Sequence, residues 1–416
     1  MKKRLETLVA GLFIILILNN LYAQNEYSWT DCVKQTLENN PDLISSKQNI
    51  LQAGSSLIIS KSNRYPSVQG GLSKQFTETS SDSYSLSASL LLFNAGRVTN
   101  QIKKSQYSLT QAETEYAIVS SKIRRDLRSA FIDLLTSQEN FELSKKIFER
   151  RKNQSDLIEL RYEAGREHKG SLMTAQALTE QAAFDVKKAE RNIRLAQINL
   201  SKVIGIDISY NASVETAEGT FDADFRFDKD IDFDSLMNNN PSIVRGGLDK
   251  DIALINKKIY KADLFPSLSA SARHSGSISE ADSDNNITTG MSLSIPIFEG
   301  GSIRENVKKA DYALKQKQSD FISLRNDIIY LLQERYTAFQ NACDNVSIQK
   351  RFYDAALERA TISEAQYSSG LLSFDDWIVI EDNLVSSQRS LLNAKASALI
   401  NEAEWIYAQG GTLENE

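Results

Sequence analysis

Residues 84–97 read Tyr-Ser-Leu-Ser-Ala-Ser-Leu-Leu-Leu-Phe-Asn-Ala-Gly-Arg, and the hydrophobic period changes inside them. Tyr84, Leu86, Ala88, Leu90 and Leu92 alternate with Ser85, Ser87 and Ser89, which predicts a strand with one apolar and one small polar face. Beyond Asn94-Ala95-Gly96 the pattern is different. From Arg97 to Ala164 there are 68 residues without a Gly or Pro, a helix of about 100 Å at 1.5 Å per residue. The chain makes the same transition again: Met291, Leu293, Ile295 and Ile297 alternate with Ser292, Ser294 and Pro296, and a second run of 68 residues, Ser302 to Ser369, follows Gly301.

The recurrence extends in both directions. Asn39-Asn40-Pro41 returns as Asn239-Asn240-Pro241, Tyr65-Pro66-Ser67-Val68 as Phe265-Pro266-Ser267-Leu268, and Tyr162-Glu163-Ala164-Gly165 as Tyr367-Ser368-Ser369-Gly370. A spacing of 200 to 205 residues is too long for a solenoid repeat and predicts one fold of two similar halves. Each half reads as a short helix broken near its Asn-Asn-Pro (Asp31 to Arg64, Asp234 to Leu264), two strands, a long helix, a glycine turn and a return helix (Ser171 to Ile204, Leu371 to Gln409). Residues 24–204 form the first repeat, 205–232 an acidic linker at the middle of the helices, 233–410 the second repeat and 411–416 a tail.

Tyr116, Val119, Ile123, Leu127, Ala130, Leu134, Phe141 and Phe148 keep a near-heptad seam. Phe321, Leu324, Ile328, Leu332, Phe339, Val346 and Tyr353 repeat it, with Arg335 breaking the seam opposite Ala130. Such spacing belongs to helices wound around one another.

Residues 1–23 are expected to be a signal peptide: Lys2, Lys3 and Arg4, then an apolar run from Leu8 to Leu18, then Leu21-Tyr22-Ala23 as cleavage site. That run falls short of the roughly 20 residues of a spanning helix. No other segment comes close, so a chain that enters a membrane must do so as strands. The net charge of −6, or −8 without the signal, argues against a nucleic-acid partner, which requires a basic face. Cys32 and Cys343 are too few for a disulfide framework, and His168 and His274 lie in different halves, so neither a metal cluster nor a cofactor site is expected. No nucleophile elbow, phosphate loop or HExxH appears, and the chain reads as a non-enzyme.

Strands of about ten residues with one apolar and one polar face suit a membrane barrel. A soluble hairpin with one covered face is the alternative. Four strands cannot close a barrel, so closure would be shared between subunits.

In order and register these features resemble the TolC-type outer membrane efflux proteins. The resemblance rests on Tyr65-Pro66-Ser67-Val68 opening a strand, on Phe93-Asn94-Ala95-Gly96-Arg97 and Phe298-Glu299-Gly300-Gly301-Ser302 opening the long helices, and on Arg161-Tyr162-x-x-Gly165 and Gln366-Tyr367-x-x-Gly370 at the hairpin turns. It implies a mainly α chain with a membrane β-barrel: a homotrimer whose 12-stranded barrel, four strands per chain, continues into a coiled-coil periplasmic tunnel. It also implies the outer membrane of a Gram-negative bacterium, contact with its lipid, and a passive duct docked to a periplasmic adaptor and an inner-membrane transporter in efflux or type I secretion. Adaptor contact is expected at the hairpin tips, at Tyr162, Gly165, Arg166, Tyr367, Gly370, Leu371 and Leu372.

Asp376, six residues after Gly370, occupies the position of a constriction aspartate in that family, and Asp375 is its neighbour. By residue chemistry alone both are also ordinary acids at a helix N-terminus. Val379 stands where the family has a second aspartate. The first tip departs further: Arg166-Glu167-His168-Lys169 replaces an apolar turn, and Ser171 stands where an acid is common. A secreted coiled-coil scaffold or an adaptor-like periplasmic protein is the rival reading.

Overall fold

The structure, a computed structural model, describes residues 26–76, 81–206, 216–219, 231–277 and 285–416. The expected signal peptide and most of the expected linker lie outside the described residues.

Two helices open the described chain: α1 (Trp29–Asn39) and α2 (Pro41–Ser62). Asn40 separates them by capping α2, its Oδ1 accepting from Asp42 N (2.9 Å) and Leu43 N (3.2 Å), with Pro41 at the first helical position. Proline there forfeits only a donor the helix could not use. The same chemistry divides α5 (Phe233–Asn239) from α6 (Pro241–Ala262), where Asn240 Oδ1 accepts from Ser242 N at 2.8 Å. Both Asn-Asn-Pro sites therefore break a helix, as their sequence indicates.

The long runs are helices of 67 residues, α3 (Arg97–Glu163) and α7 (Ser302–Ser368). Each is followed by a shorter one, α4 (Lys169–Ile204) and α8 (Phe374–Ala408). In the α3 seam Ile123, Leu127, Ala130 and Leu134 are buried, and in α7 Ile328, Leu332 and Phe339. Arg335 interrupts that seam to face Glu404 at 3.8 Å, a carboxylate that Arg125 also approaches at 3.8 Å. On α4 the buried positions include Ala175, Ala182, Ala189 and Ala196, a strict seven-residue alanine repeat. A methyl at each contact lets a neighbouring helix approach closely, a heptad signal carried by small rather than large side chains.

Six strands are present among the described residues. β1 (Glu26–Tyr27) and β4 (Thr216–Ala217) form a minimal parallel pair. β2 (Ser67–Gln75), β3 (Ser81–Phe93), β5 (Ser267–Ser277) and β6 (Asn286–Ser294) form one antiparallel sheet in the order β2-β3-β5-β6. β6 ends at Ser294, short of the alternation that continues to Ile297, since Pro296 has no N–H for a ladder. A bulge between Leu91 and Phe93 shifts the register where β3 leaves the sheet.

The chain divides into two compact units. One gathers residues up to Ile44, Val119–Phe233 and Tyr330–Glu416, and the other Ser45–Ile118 and Asp234–Ile329. The sheet and the starts of both long helices belong to the second unit, and both helix turns belong to the first. In the first unit the chain's last residues lie against α1 and α3: Trp29 Nε1 donates to Glu416 Oε2 (2.6 Å), and Ser120 Oγ to Glu414 Oε2 (2.6 Å).

Candidate functional site at the paired helix turns

The turns after α3 and α7 are built alike. Gly165 and Gly370 hold left-handed φ of 70° and 79°. Arg166 N donates to Arg161 O (2.8 Å) and Leu371 N to Gln366 O (2.9 Å), the long-range bond of a Schellman ending. A Cβ at either glycine would meet nothing within 4 Å, so backbone conformation and not space requires glycine. The helices that follow are capped by different side chains. His168 Nδ1 accepts from Ser171 N (3.2 Å), and Ser373 Oγ accepts from Asp376 N (3.1 Å) while donating to Asp376 Oδ2 (2.6 Å). His168 is exposed and is the N-cap of α4.

Between the two turns Tyr367 is the centre. Its side chain is 1% exposed, stacked on Trp377 with ring centroids 4.3 Å apart and planes at 12°. The Arg161 guanidinium lies over the same ring at 4.4 Å, and its Nη2 donates to Tyr367 O (2.8 Å) and Ser368 O (2.7 Å), closing two of the last carbonyls of α7. Tyr367 OH donates to Glu167 Oε2 at 2.9 Å, while Glu167 Oε1 accepts from Ser171 Oγ (2.9 Å) and His168 N (3.2 Å). The Tyr-to-Glu bond therefore ties the second turn to the first. Ile158, Ala175, Phe374 and Trp377 pack with Tyr367 in one apolar cluster, against which Leu372 rests.

Burial pushes the Glu167 carboxyl up, but the hydrogen bonds from Tyr367, Ser171 and the His168 amide outweigh it and hold Glu167 below the ordinary carboxylate range. Burial, and then the bond to Glu167, pushes the Tyr367 phenol up to about 12. A depressed carboxyl contributes stability above its unfolded value and loses it as pH falls through the folded value. The parent should be more stable than Glu167→Gln near neutral pH, and the difference should close as the pH drops below about 4. Thermal unfolding of both proteins across that range is the measurement, and a difference that persists in acid would contradict it.

Farther from the turn, three ion pairs join α8 to α3 and α4. Glu381, 1% exposed, receives Arg150 Nε (2.6 Å) and Nη2 (2.7 Å); Arg151 Nη2 meets Asp382 Oδ1 (2.5 Å); and Arg389 Nη2 meets Asp185 Oδ2 (2.6 Å). The heptad pattern assigns carboxylates to a solvated face, and Glu381 departs from it because a bidentate arginine accompanies it inward.

The sequence-derived positions separate by exposure. Leu371 is 80% exposed and Tyr162 39%, and Gly165, Arg166, Gly370, Asp375 and Asp376 are also exposed. Tyr367 and Leu372 face inward and support the turn from beneath. Arg161, Glu167 and Trp377 complete the network. Sequence reasoning did not assign them roles, although the charged run Arg166-Glu167-His168-Lys169 at the first tip was the visible signal.

A sequence profile of the outer membrane efflux protein family matches residues 32–206 and again 233–411. The chain belongs to that family. It is similar to the probable outer membrane lipoprotein SilC of Salmonella typhimurium, with 21% identity over 91% of this chain and 85% of that one. With TolC of Salmonella enteritidis it shares 24% identity over 46% of this chain and 42% of the other. In fold it is similar to the MtrE outer membrane channel of Neisseria gonorrhoeae in its open state (TM-score 0.81, 18% identity, 93% of this chain and 90% of that chain). The chain is thus an outer membrane efflux protein, of a family and fold whose members are channels rather than enzymes.

Proposed function

We propose that three copies of this chain form a passive exit duct, a 12-stranded barrel in the outer membrane of a Gram-negative bacterium continued by a coiled-coil tunnel in the periplasm. Its two halves are related by internal duplication. The observation that carries this reading is the sheet. One face holds Val68, Leu72, Leu86, Leu90, Met291 and Leu293 and the other is mostly serine, threonine and glycine. β2 and β6 each lack a partner on one side among the described residues. Open edges are templates for another strand, and β6 of one copy laid on β2 of the next removes both. The exposed tips dock a periplasmic adaptor that joins the duct to an inner-membrane transporter, which supplies the energy. Asp375 and Asp376 of three copies place six carboxylates around the periplasmic aperture and favour cations there.

In detergent the protein should scatter light as a trimer and in planar bilayers it should conduct. Asp376→Lys should move the reversal potential toward anions under a salt gradient. A monomer, or a soluble periplasmic protein, would overturn the duct, whereas an unmoved reversal potential in a conducting trimer would remove only Asp376 from the gate.

A further inference from the structure

The polar face of the sheet carries one charge among the described residues. The ladder register puts on that face the odd-numbered residues of β2, of β5 and of β3 up to Leu91, and the even-numbered residues of β6, most of them serine, with Gln69, Leu91 and Asn286 as larger uncharged members. Arg273 stands among them, opposite Ser87 on one side and Thr288 on the other. It is exposed and has no ion pair or hydrogen bond among the described residues. The other strand charges, Lys74 and Asp82, are cross-strand partners on the apolar face, 3.5 Å apart. His274, next to Arg273, also faces the apolar side, beside Tyr84.

An exposed arginine without an ion pair or hydrogen bond adds no polar contact to the sheet, and a face of small hydroxyl side chains leaves its guanidinium free to meet whatever passes. We infer that Arg273 is a charge-selecting residue of the barrel lumen, favouring anions as they pass. The inference rests on the trimeric duct proposed above, in which the polar face lines the water-filled interior and three copies bring three guanidinium groups to one level. Each Arg273 lies six residues beyond the start of β5, about 20 Å along the strand at 3.3 Å per residue. Fixed rings of arginine attract anions and repel cations in a pore. The duct then carries charge of opposite sign at two places, carboxylates at the helix turns and arginines within the sheet. A cargo bearing both charges would meet a favourable surface at each.

The test is single-channel recording under a KCl gradient on the full-length parent and on Arg273→Lys, Arg273→Gln and Arg273→Glu. The reversal potential should stay near the parent value with Lys, move toward cations with Gln and move further with Glu. Channels of normal conductance whose reversal potential is the same in all four proteins would overturn the assignment of Arg273 while leaving the duct intact. Failure of the parent itself to conduct would instead overturn the duct, and this inference with it.

Discussion

Arg150→Met should destabilise the first unit by about 3 kcal/mol, the lower end of the cost of removing one partner from a buried ion pair. Glu381 is 1% exposed and both its oxygens are taken by Arg150, so the substitution leaves a carboxylate inside the helical packing with its paired charge gone. The low end applies because the Arg150 side chain is 34% exposed and already shares its charge with Glu364 at 3.7 Å. Arg150→Met/Glu381→Leu should recover most of the loss, since replacing both partners by apolar groups removes the stranded charge as well as the bond. Thermal unfolding in detergent at a fixed scan rate measures this, with a lowered midpoint for the single variant and one near the parent for the double. If the double variant is as unstable as the single, the ion pair contributes through its geometry and not through the burial of Glu381.

Much of this architecture was legible because it depends on local chemistry. Asn-Pro breaks, strand alternation and glycine turns each impose a backbone preference within a few residues, and the structure places elements accordingly at Asn40, Asn240, Gly165 and Gly370. Strand ends were less legible: the alternation through Ile297 outlasts the hydrogen bonding, which stops at Ser294. The alanine repeat of α4 is faint in the sequence because its positions require closeness, not bulk, and alanine carries little hydrophobic signal.

The candidate site was legible in part. No local rule separates Leu371 from Leu372: Leu371 is 80% exposed, while the inward turn of Leu372 depends on the distant cluster around Trp377. The pairing of Tyr367 with Glu167 spans 200 residues, and no spacing rule within one helix announces it. Ser171 hydrogen-bonds Glu167, so the carboxylate that meets the tyrosine is held from within the first turn. The same contact explains how a charged first tip is accommodated: Glu167 is consumed internally, while Arg166 and Lys169 stay exposed.

That division of exposure decides how the proposed docking of an adaptor should be probed. Leu371→Asp should reduce docking to background while leaving trimer assembly unchanged, because Leu371 is 80% exposed at a turn whose backbone bonds do not involve its side chain. Covering a leucine with a partner contributes about 1.5–3 kcal/mol, and a carboxylate in the same apolar seat adds an unpaired buried charge, so one substitution removes the contact and opposes it. Leu372→Asp is a poorer probe, since that side chain rests on the cluster of Ile158, Tyr367, Phe374 and Trp377 and its loss would disturb the turn itself. A photoreactive residue at Tyr162, 39% exposed on the neighbouring turn, reports contact without altering Leu371. In cells, crosslinks from that position to a periplasmic partner should be present with Leu371 or Leu371→Met and absent with Leu371→Asp. Crosslinks of normal yield from a Leu371→Asp trimer would place the docking surface elsewhere on the chain.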